Sequence, residues 1–168
     1  MKRHILFCTW AGVSLFIIVF QSFAQPPDTL WTRTYGGSSY EDAYSVQQTA
    51  DGGYVLAGYT ETFGGGNGDV YLVKTNSQGD TLWTRTYGGS TWDWAESVQQ
   101  TSDGGYIMAG VTNSFGAGNE DFYLVKTNSQ GDTLWTRTYG GNNADDALSV
   151  QQTADGGYIV AGGTYSFR

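Results

Sequence analysis

Short runs of β-branched and aromatic residues, each closed by Gly, Asp or Asn, fill the chain after residue 40. Asp-Gly-Gly and Gly-Asp breaks favour turns, because Asp bonds its own backbone and Gly accepts positive φ. Runs of this length predict short strands, and no stretch after Ala24 has a helical period. The first four runs are AYSVQQT (43–49), YVLAGYT (54–60), VYLVKTN (70–76) and TLWTRTY (81–87).

The four-run pattern repeats with a fixed period. The decapeptide DTLWTRTYGG begins at Asp28, Asp80 and Asp132, each 52 residues after the last. A gap-free alignment of 28–79 with 80–131 leaves 14 differing positions. Periods of about 20–50 residues are typical of units that bury their apolar surface only by stacking on copies of themselves. We therefore expect repeats at 28–79 and 80–131 and a partial repeat at 132–168.

The second and third runs are apolar on both faces, with Val55 and Ala57 opposing Tyr54 and Leu56. A sheet with two apolar faces must be covered on both sides. Four-stranded antiparallel blades that stack face to face meet this need in a β-propeller. The predicted fold is therefore all-β, with β-propeller-type repeats of four-stranded antiparallel blades.

Side-chain size predicts where each strand lies in a blade. The bulky fourth run places Trp83, Arg85 and Tyr87 on one face, where the guanidinium stacks on an aromatic ring, and it fits the wide outer rim. The first run is small enough for the crowded position beside the axis, since it carries Ala43, Ser45, Ala95 and Ser97.

The inventory of strands is incomplete. One outer-type strand at 28–35 precedes two full sets of four, and only a first and a second strand follow. This makes about two and a half to three blades, whereas closed propellers have about 4–8. Three alternatives are open. The chain is a fragment of a longer protein, several copies self-associate to close a ring, or the fan stays open.

Residues 1–24 have the pattern of a secretory signal peptide, which we expect to form an N-terminal helix. Lys2 and Arg3 precede the apolar run 5–20, and small residues at Ser22 and Ala24 suit cleavage after Ala24. The alternative is a membrane anchor, although the run is shorter than the ~20 residues of a spanning helix. We expect residues 25–168 to form the mature repeat protein, which is extracellular, on the cell surface or periplasmic and has no membrane contact.

Charge and composition exclude several functions for residues 25–168. Removal of residues 1–24 leaves six basic and sixteen acidic residues, a net charge of −10, and no Cys or His. Nucleic acid is not an expected partner, because phosphate binding needs clustered Lys and Arg. Serine triads and thiol mechanisms need His or Cys, so no enzymatic activity and no catalytic residues are expected.

The loops predict a binding surface at one end of the blades. Turns of a meander alternate between its two ends. One end therefore carries the turns 51–53 and 77–80, and the other end carries the connections 36–42 and 61–69. The first pair is almost unchanged between copies, while the second pair collects many of the substitutions. Variable loops on a rigid scaffold favour binding of a glycan or protein ligand. The alternative is neutral drift. The candidate residues are Tyr40, Asp42, Trp92, Asp93, Trp94, Asn142 and Asp145.

Calcium is the one cofactor that the sequence suggests. GGGNGD (64–69) and GAGNED (116–121) combine flexible backbone with oxygen ligands of the kind that Ca²⁺ prefers. The alternative is a turn in which Asp69 bonds loop amides, and otherwise no metal or cofactor is expected. The candidate calcium ligands are Asn67, Asp69, Asn119 and Asp121.

The repeated motifs YGG, DGGY, AG, YLVK and GDTLW, in this order, resemble the bacterial secreted β-propeller repeat family (SBBP-like repeats). The segment 69–83 is also similar to the tryptophan-docking motif of quinoprotein-like propellers. The first resemblance implies a secreted, non-enzymatic scaffold for binding or adhesion within a larger surface protein. The alternatives are a quinoprotein-like enzyme and a purely structural spacer, since a fold does not define one activity.

Overall fold

The computed structural model describes residues 6–10, 13–17 and 30–166. The chain divides into two compact units, Met1–Leu30 and Trp31–Arg168. All regular structure in the described residues is β, and these residues include no helix long and apolar enough to cross a membrane.

The first unit contains an antiparallel hairpin of β1 (Leu6–Trp10) and β2 (Val13–Ile17). This differs from the helix expected for the signal peptide. Both segments are rich in β-branched and aromatic residues, which favour strands, and Gly12 lies between them in the sequence. The cleavage site expected after Ala24 lies outside the described residues, and the signal peptide stays a prediction.

The second unit is built from antiparallel meanders, as the repeat predicts. Two sheets have four strands in chain order and the last has two. Blade A contains β3 (Glu41–Gln48), β4 (Tyr54–Thr60), β5 (Asp69–Thr75) and β6 (Thr81–Tyr87). Blade B contains β7 (Asp93–Gln100), β8 (Tyr106–Thr112), β9 (Asp121–Thr127) and β10 (Thr133–Tyr139). Half-blade C contains β11 (Asp145–Gln152) and β12 (Tyr158–Thr164).

The innermost strand of each blade is bulged. The register of β3 on β4 shifts between Ala43 and Ser45, so Tyr44 is the extra residue. The same shift leaves Glu96 and Leu148 as extra residues in the next two copies. A bulge re-aims one side chain while the rest of the ladder keeps its alternation.

The outer strand predicted at 28–35 is not a strand in its described part, residues 30–35. The reason is that no third strand lies beside it to complete a ladder. The segment still packs like β6 and β10, because Trp31 meets Tyr54 edge-on at 5.8 Å between ring centroids. Trp83 meets Tyr106 in the same way, also at 5.8 Å.

The core lies between the blades. Ala95 and Val98 of blade B pack with Val55 and Ala57 of blade A in one buried cluster. A second cluster joins blade B to half-blade C. Strands β5 and β8 are buried along their whole length, which confirms the prediction of two covered faces for these two strands, whereas β12 is largely exposed. Burial of one valine-sized side chain contributes about 1.5–3 kcal/mol, so the stacked faces are the main source of stability.

Candidate functional site

The two ends of the blades differ in what holds their loops. At the constant end (49–53, 76–80, 101–105 and 128–132), Asp51 bonds Thr49 Oγ1 at 2.5 Å and Gly53 N at 3.0 Å. The buried Lys74 reaches Asp51 Oδ2 at 2.9 Å. The hydroxyl of Thr49, then Lys74, lower the pKa of Asp51 to about 2. The second copy repeats this network with Asp103 and Lys126.

The variable end (36–42, 61–68, 88–94, 113–120 and 140–144) gathers the connections that differ between copies. Glu61 N donates to Tyr40 O at 2.9 Å, and Ser39 N donates to Thr62 Oγ1 at 3.0 Å. The two connections of blade A therefore lie side by side at this end. The predicted separation into a constant and a variable end agrees with these contacts.

An aromatic patch of Tyr44, Tyr59 and Trp92 lies at the variable end, at the junction of blades A and B, and Trp94 borders it through its bond to Glu96. Tyr44 stacks on Tyr59 at 6.2 Å between ring centroids, and Tyr59 meets Trp92 edge-on at 6.0 Å. Tyr44 and Trp92 are exposed, and Tyr59 is half-buried between them. The patch therefore offers neighbouring rings to solvent.

Two of the three rings are positioned by local irregularities of the fold and the third by a regular ladder. Tyr44 is the bulge residue of β3, and Tyr59 sits opposite Asp42 and Val70 in the ladders of blade A. Trp92 is held by a parallel bridge to Gly68 and by the bond from Asp93 N to Gly68 O at 2.9 Å.

Gly68 is required by the tryptophan that covers it. A Cβ on Gly68 would lie 2.8 Å from Cε3 of Trp92, which is closer than side chains approach one another. The equivalent pair in the next copy is Glu120 and Ala144, where Asp145 N donates to Glu120 O at 2.8 Å. At the junction of blades A and B, a large ring therefore lies against a glycine. At the junction of blade B and half-blade C, the equivalent residues are the small Ala144 and the larger Glu120.

Carboxylates border the patch. Trp94 Nε1 donates to Glu96 Oε1 at 2.9 Å, and Asp42 pairs with Tyr59 across the ladder. Partial burial, followed by the charges of Asp42 and Glu96, raises the pKa of Tyr44. The Tyr44 hydroxyl therefore remains a proton donor at neutral pH. The patch combines flat apolar rings with hydrogen-bond acceptors, a pattern that suits a ligand with both apolar and hydroxyl surfaces.

Only some of the predicted ligand residues belong to this patch. Trp92 belongs to it, Asp42 and Trp94 border it, and Tyr40 is an exposed residue of the same end. Asn142 lies against Gly118 at the junction of blade B and half-blade C.

Asp93 and Asp145 do not face solvent, which corrects their assignment to an exposed binding surface. Both carboxylates are buried and hold loops. Asp93 Oδ2 accepts from Gly89 N at 2.9 Å and from Ser114 Oγ at 2.6 Å. Asp145 Oδ2 accepts from Gly141 N at 2.9 Å. Strand position explains the burial, since each residue begins an inner strand and is covered by its neighbours.

The glycine-rich loops are held by their own aspartates. Asp69 Oδ2 accepts from Gly65 N at 2.9 Å and from Gly66 N at 3.2 Å, and Asp121 Oδ2 accepts from Ala117 N at 2.8 Å. Both aspartates are buried, while Asn67 and Asn119 are exposed. Within the described ranges, no group of three or more acidic, His or Cys side chains is placed to hold a metal ion. The geometry is that of a capped turn.

Sequence reasoning missed three residues of the site, namely Tyr44, Tyr59 and Glu96. All three lie inside strands, whereas the prediction considered loops alone. The signal was present among the substitutions between copies, because Tyr44 aligns with Glu96 and Tyr59 aligns with Val111. Substitutions within strands that otherwise repeat therefore marked the site as clearly as the loops did.

Comparison with known proteins gives limited likeness. No protein-family model matches the chain. The chain is 28% identical over 134 residues to regulatory protein FlaEY of Caulobacter vibrioides, covering 70% of this chain and 14% of FlaEY. A protein of unknown function from Bacteroides caccae has a similar structure, with a TM-score of 0.48 and 14% sequence identity, over 71% of this chain and 38% of that one. The chain thus spans a small part of the curated relative.

Proposed function

We propose that this chain is a secreted, non-enzymatic scaffold of β-propeller-type blades that binds carbohydrate at its aromatic patch. One observation carries the proposal: Tyr44, Tyr59 and Trp92, three rings that differ between copies, meet at a single junction of a repeated frame. A repeated frame needs no exposed tryptophan there, since the equivalent position in the last copy is Ala144. Binding residues concentrate on variable positions of a rigid scaffold.

The chemistry of the patch suits a sugar. Flat rings stack on the apolar faces of a pyranose, while hydroxyls are donors that Asp42 and Glu96 can accept. Tyr44 adds a hydroxyl that is protonated at neutral pH. A shallow surface of this kind supports adhesion, in which many weak contacts act together. The shared stretch with FlaEY, a small part of that protein, supports a module that also occurs within longer chains.

The test compares two tryptophans of matched exposure. Trp92 is 38% exposed in the patch, and Trp31 is 37% exposed at the constant end. Binding is measured on an array of chito-, cello- and manno-oligosaccharides and then by titration of the best sugar. Trp92→Ala should weaken binding about tenfold or more, which corresponds to about 1.4 kcal/mol, and Trp31→Ala should leave it unchanged. Equal affinity of the Trp92 variant and the unaltered chain, or no binding to any sugar, would contradict the proposal.

A further inference from the structure

The junction between blades is made twice with the same atoms. Each inner strand offers a Ser hydroxyl and a Gln carbonyl to backbone amides of the next inner strand. Val98 N donates to Ser45 Oγ at 3.1 Å, and Val150 N donates to Ser97 Oγ at 3.2 Å. Gln100 N donates to Gln47 Oε1 and Gln152 N to Gln99 Oε1, both at 2.6 Å.

The valine of the inner strand shows which blade faces are covered. Val98 is 6% exposed and Val150 is 3% exposed, because a blade precedes each of them. Val46 occupies the same position in blade A and is 64% exposed. The front face of blade A is therefore one half of a junction.

The opposite half lies on half-blade C. In the second strand of each copy, Val55 and Ile107 are fully buried at 0% exposure, because a blade follows. Ile159 holds the same position in β12 and is 61% exposed. The back face of half-blade C thus presents the surface that the next inner strand covers elsewhere in the chain.

The polar groups of these two faces also match. Ser149 and Gln151 of β11 hold the acceptor positions of Ser45 and Gln47. The amides of Val46 and Gln48 hold the donor positions of Val98 and Gln100. The exposed back face and the exposed front face are therefore complementary to each other, and neither is complementary to itself.

The front of blade A contains a cleft that suits a docked hairpin. The cleft has a volume of about 340 Å³ and lies between residues 33–35 and the face of blade A that carries Leu56 and Tyr71. Tyr35 OH donates to Gly79 O at 2.8 Å, as Tyr87 OH does to Gly131 O at 2.6 Å. The segment therefore holds the outer position of a blade, and the cleft lies where the inner strands of that blade belong.

We propose that a second copy of this chain docks head to tail, with β11 and β12 of one copy covering the front face of blade A of the other, over the cleft. The occupant is a second copy because the same junction, with the same hydrogen bonds, already joins blades within the chain. Each copy then supplies blades A and B, and each shared blade has three segments, β11 and β12 of one copy and residues 30–35 of the other. A head-to-tail contact either closes a ring or continues as a fibre. Since closed propellers have about 4–8 blades, two copies close a ring of six.

The test is the mass of the purified full chain in solution, by light scattering after size exclusion. The unaltered chain should have twice the single-chain mass of 18.2 kDa, less any cleaved signal. Val46→Asp and Ile159→Asp should each give the single-chain mass, because each places a charge on one half of the junction. Both positions are exposed in the single chain, so both variants should keep the β-type circular dichroism of the unaltered chain.

Leu82→Asp is the matched control. Leu134 holds the equivalent position in blade B, which is preceded by a blade. Leu82 and Leu134 are equally exposed, so the preceding blade does not cover this position and it lies outside the junction. The Leu82 variant should keep the doubled mass. A single-chain mass for the unaltered chain, a doubled mass for Val46→Asp, or a mass that rises continuously with concentration would each overturn the two-copy ring.

Discussion

The two ends of the blades differ in how strictly their residues and contacts repeat between copies. At the constant end, Asp51 and Asp103 make the same bonds with the same partners in successive copies. At the variable end, the tryptophan of one junction is an alanine at the next. Since strands of the same order and pairing connect both ends in blades A and B, the difference is not needed to form a blade. This difference supports our proposal that the substituted end binds a ligand.

Acid should weaken the constant end, and we expect this to be the largest of the effects on stability. The folded-state pKa of Asp51 and Asp103 is about 2, against the usual 3.8. A lowered pKa contributes stability above the unfolded value, and that stability is lost as pH falls from about 4 towards 2. Urea unfolding at stepped pH should show a midpoint that drops through this window. The Asp51→Asn/Asp103→Asn double variant should show a smaller drop, and an equal drop in both proteins would contradict the assignment.

Removal of one carboxylate at the constant end should lower the stability by less than acid does. Asp103→Ala leaves the buried Lys126 without its ion pair and frees the amide of Gly105. We expect a loss of about 2 kcal/mol in the free energy of unfolding, below that of a fully buried pair, because solvent screens the half-exposed carboxylate.

Asp155→Ala is the control within the chain. Asp155 bonds Thr153 and Gly157 as Asp103 bonds Thr101 and Gly105, but in the described part of the chain it pairs with no lysine. Its removal should lower the urea midpoint by less than that of Asp103. Equal losses would show that the buried lysine adds nothing.

At the variable end, a single methyl group should disturb the patch and cost the fold little. Gly68→Ala places a Cβ against the ring of Trp92 and should shift that ring. We expect the free energy of unfolding to fall by about 1 kcal/mol. Tryptophan fluorescence and sugar titration measure the two effects. Glu120→Ala places the same alanine at the equivalent position, opposite Ala144, and should alter neither. A normal sugar affinity for Gly68→Ala would show that the position of the ring is not critical.

The sequence predicted the architecture because every signal repeats. Turn chemistry at Asp51, two-sided apolar strands and the 52-residue period all pointed to stacked four-stranded sheets. It failed where pairing partners decide the outcome. Residues 30–35 repeat the sequence of β6 and β10 but have no neighbouring third strand, so they pack without forming a ladder.

The site was harder to predict than the fold. Asp93 and Trp94 are adjacent in the sequence, yet the alternation of a strand buries the first and leaves the second half-exposed. Tyr44 reaches the patch through a bulge, which composition does not reveal. The substitutions between copies identified the variable end. Only the strand register of the structure showed which substituted residues lie close together.

The central claim is that the variable end binds while the repeated frame folds without it. The most direct test replaces the patch and the bordering Trp94 by residues that the other copies already carry at these positions, as Tyr44→Glu, Tyr59→Val, Trp92→Ala and Trp94→Asp together. The measurement is binding of this variant to the sugar that the unaltered chain retains, on protein whose free energy of unfolding lies within about 1 kcal/mol of the original. We expect a folded protein that binds no sugar. A folded variant that binds with full affinity would contradict the account.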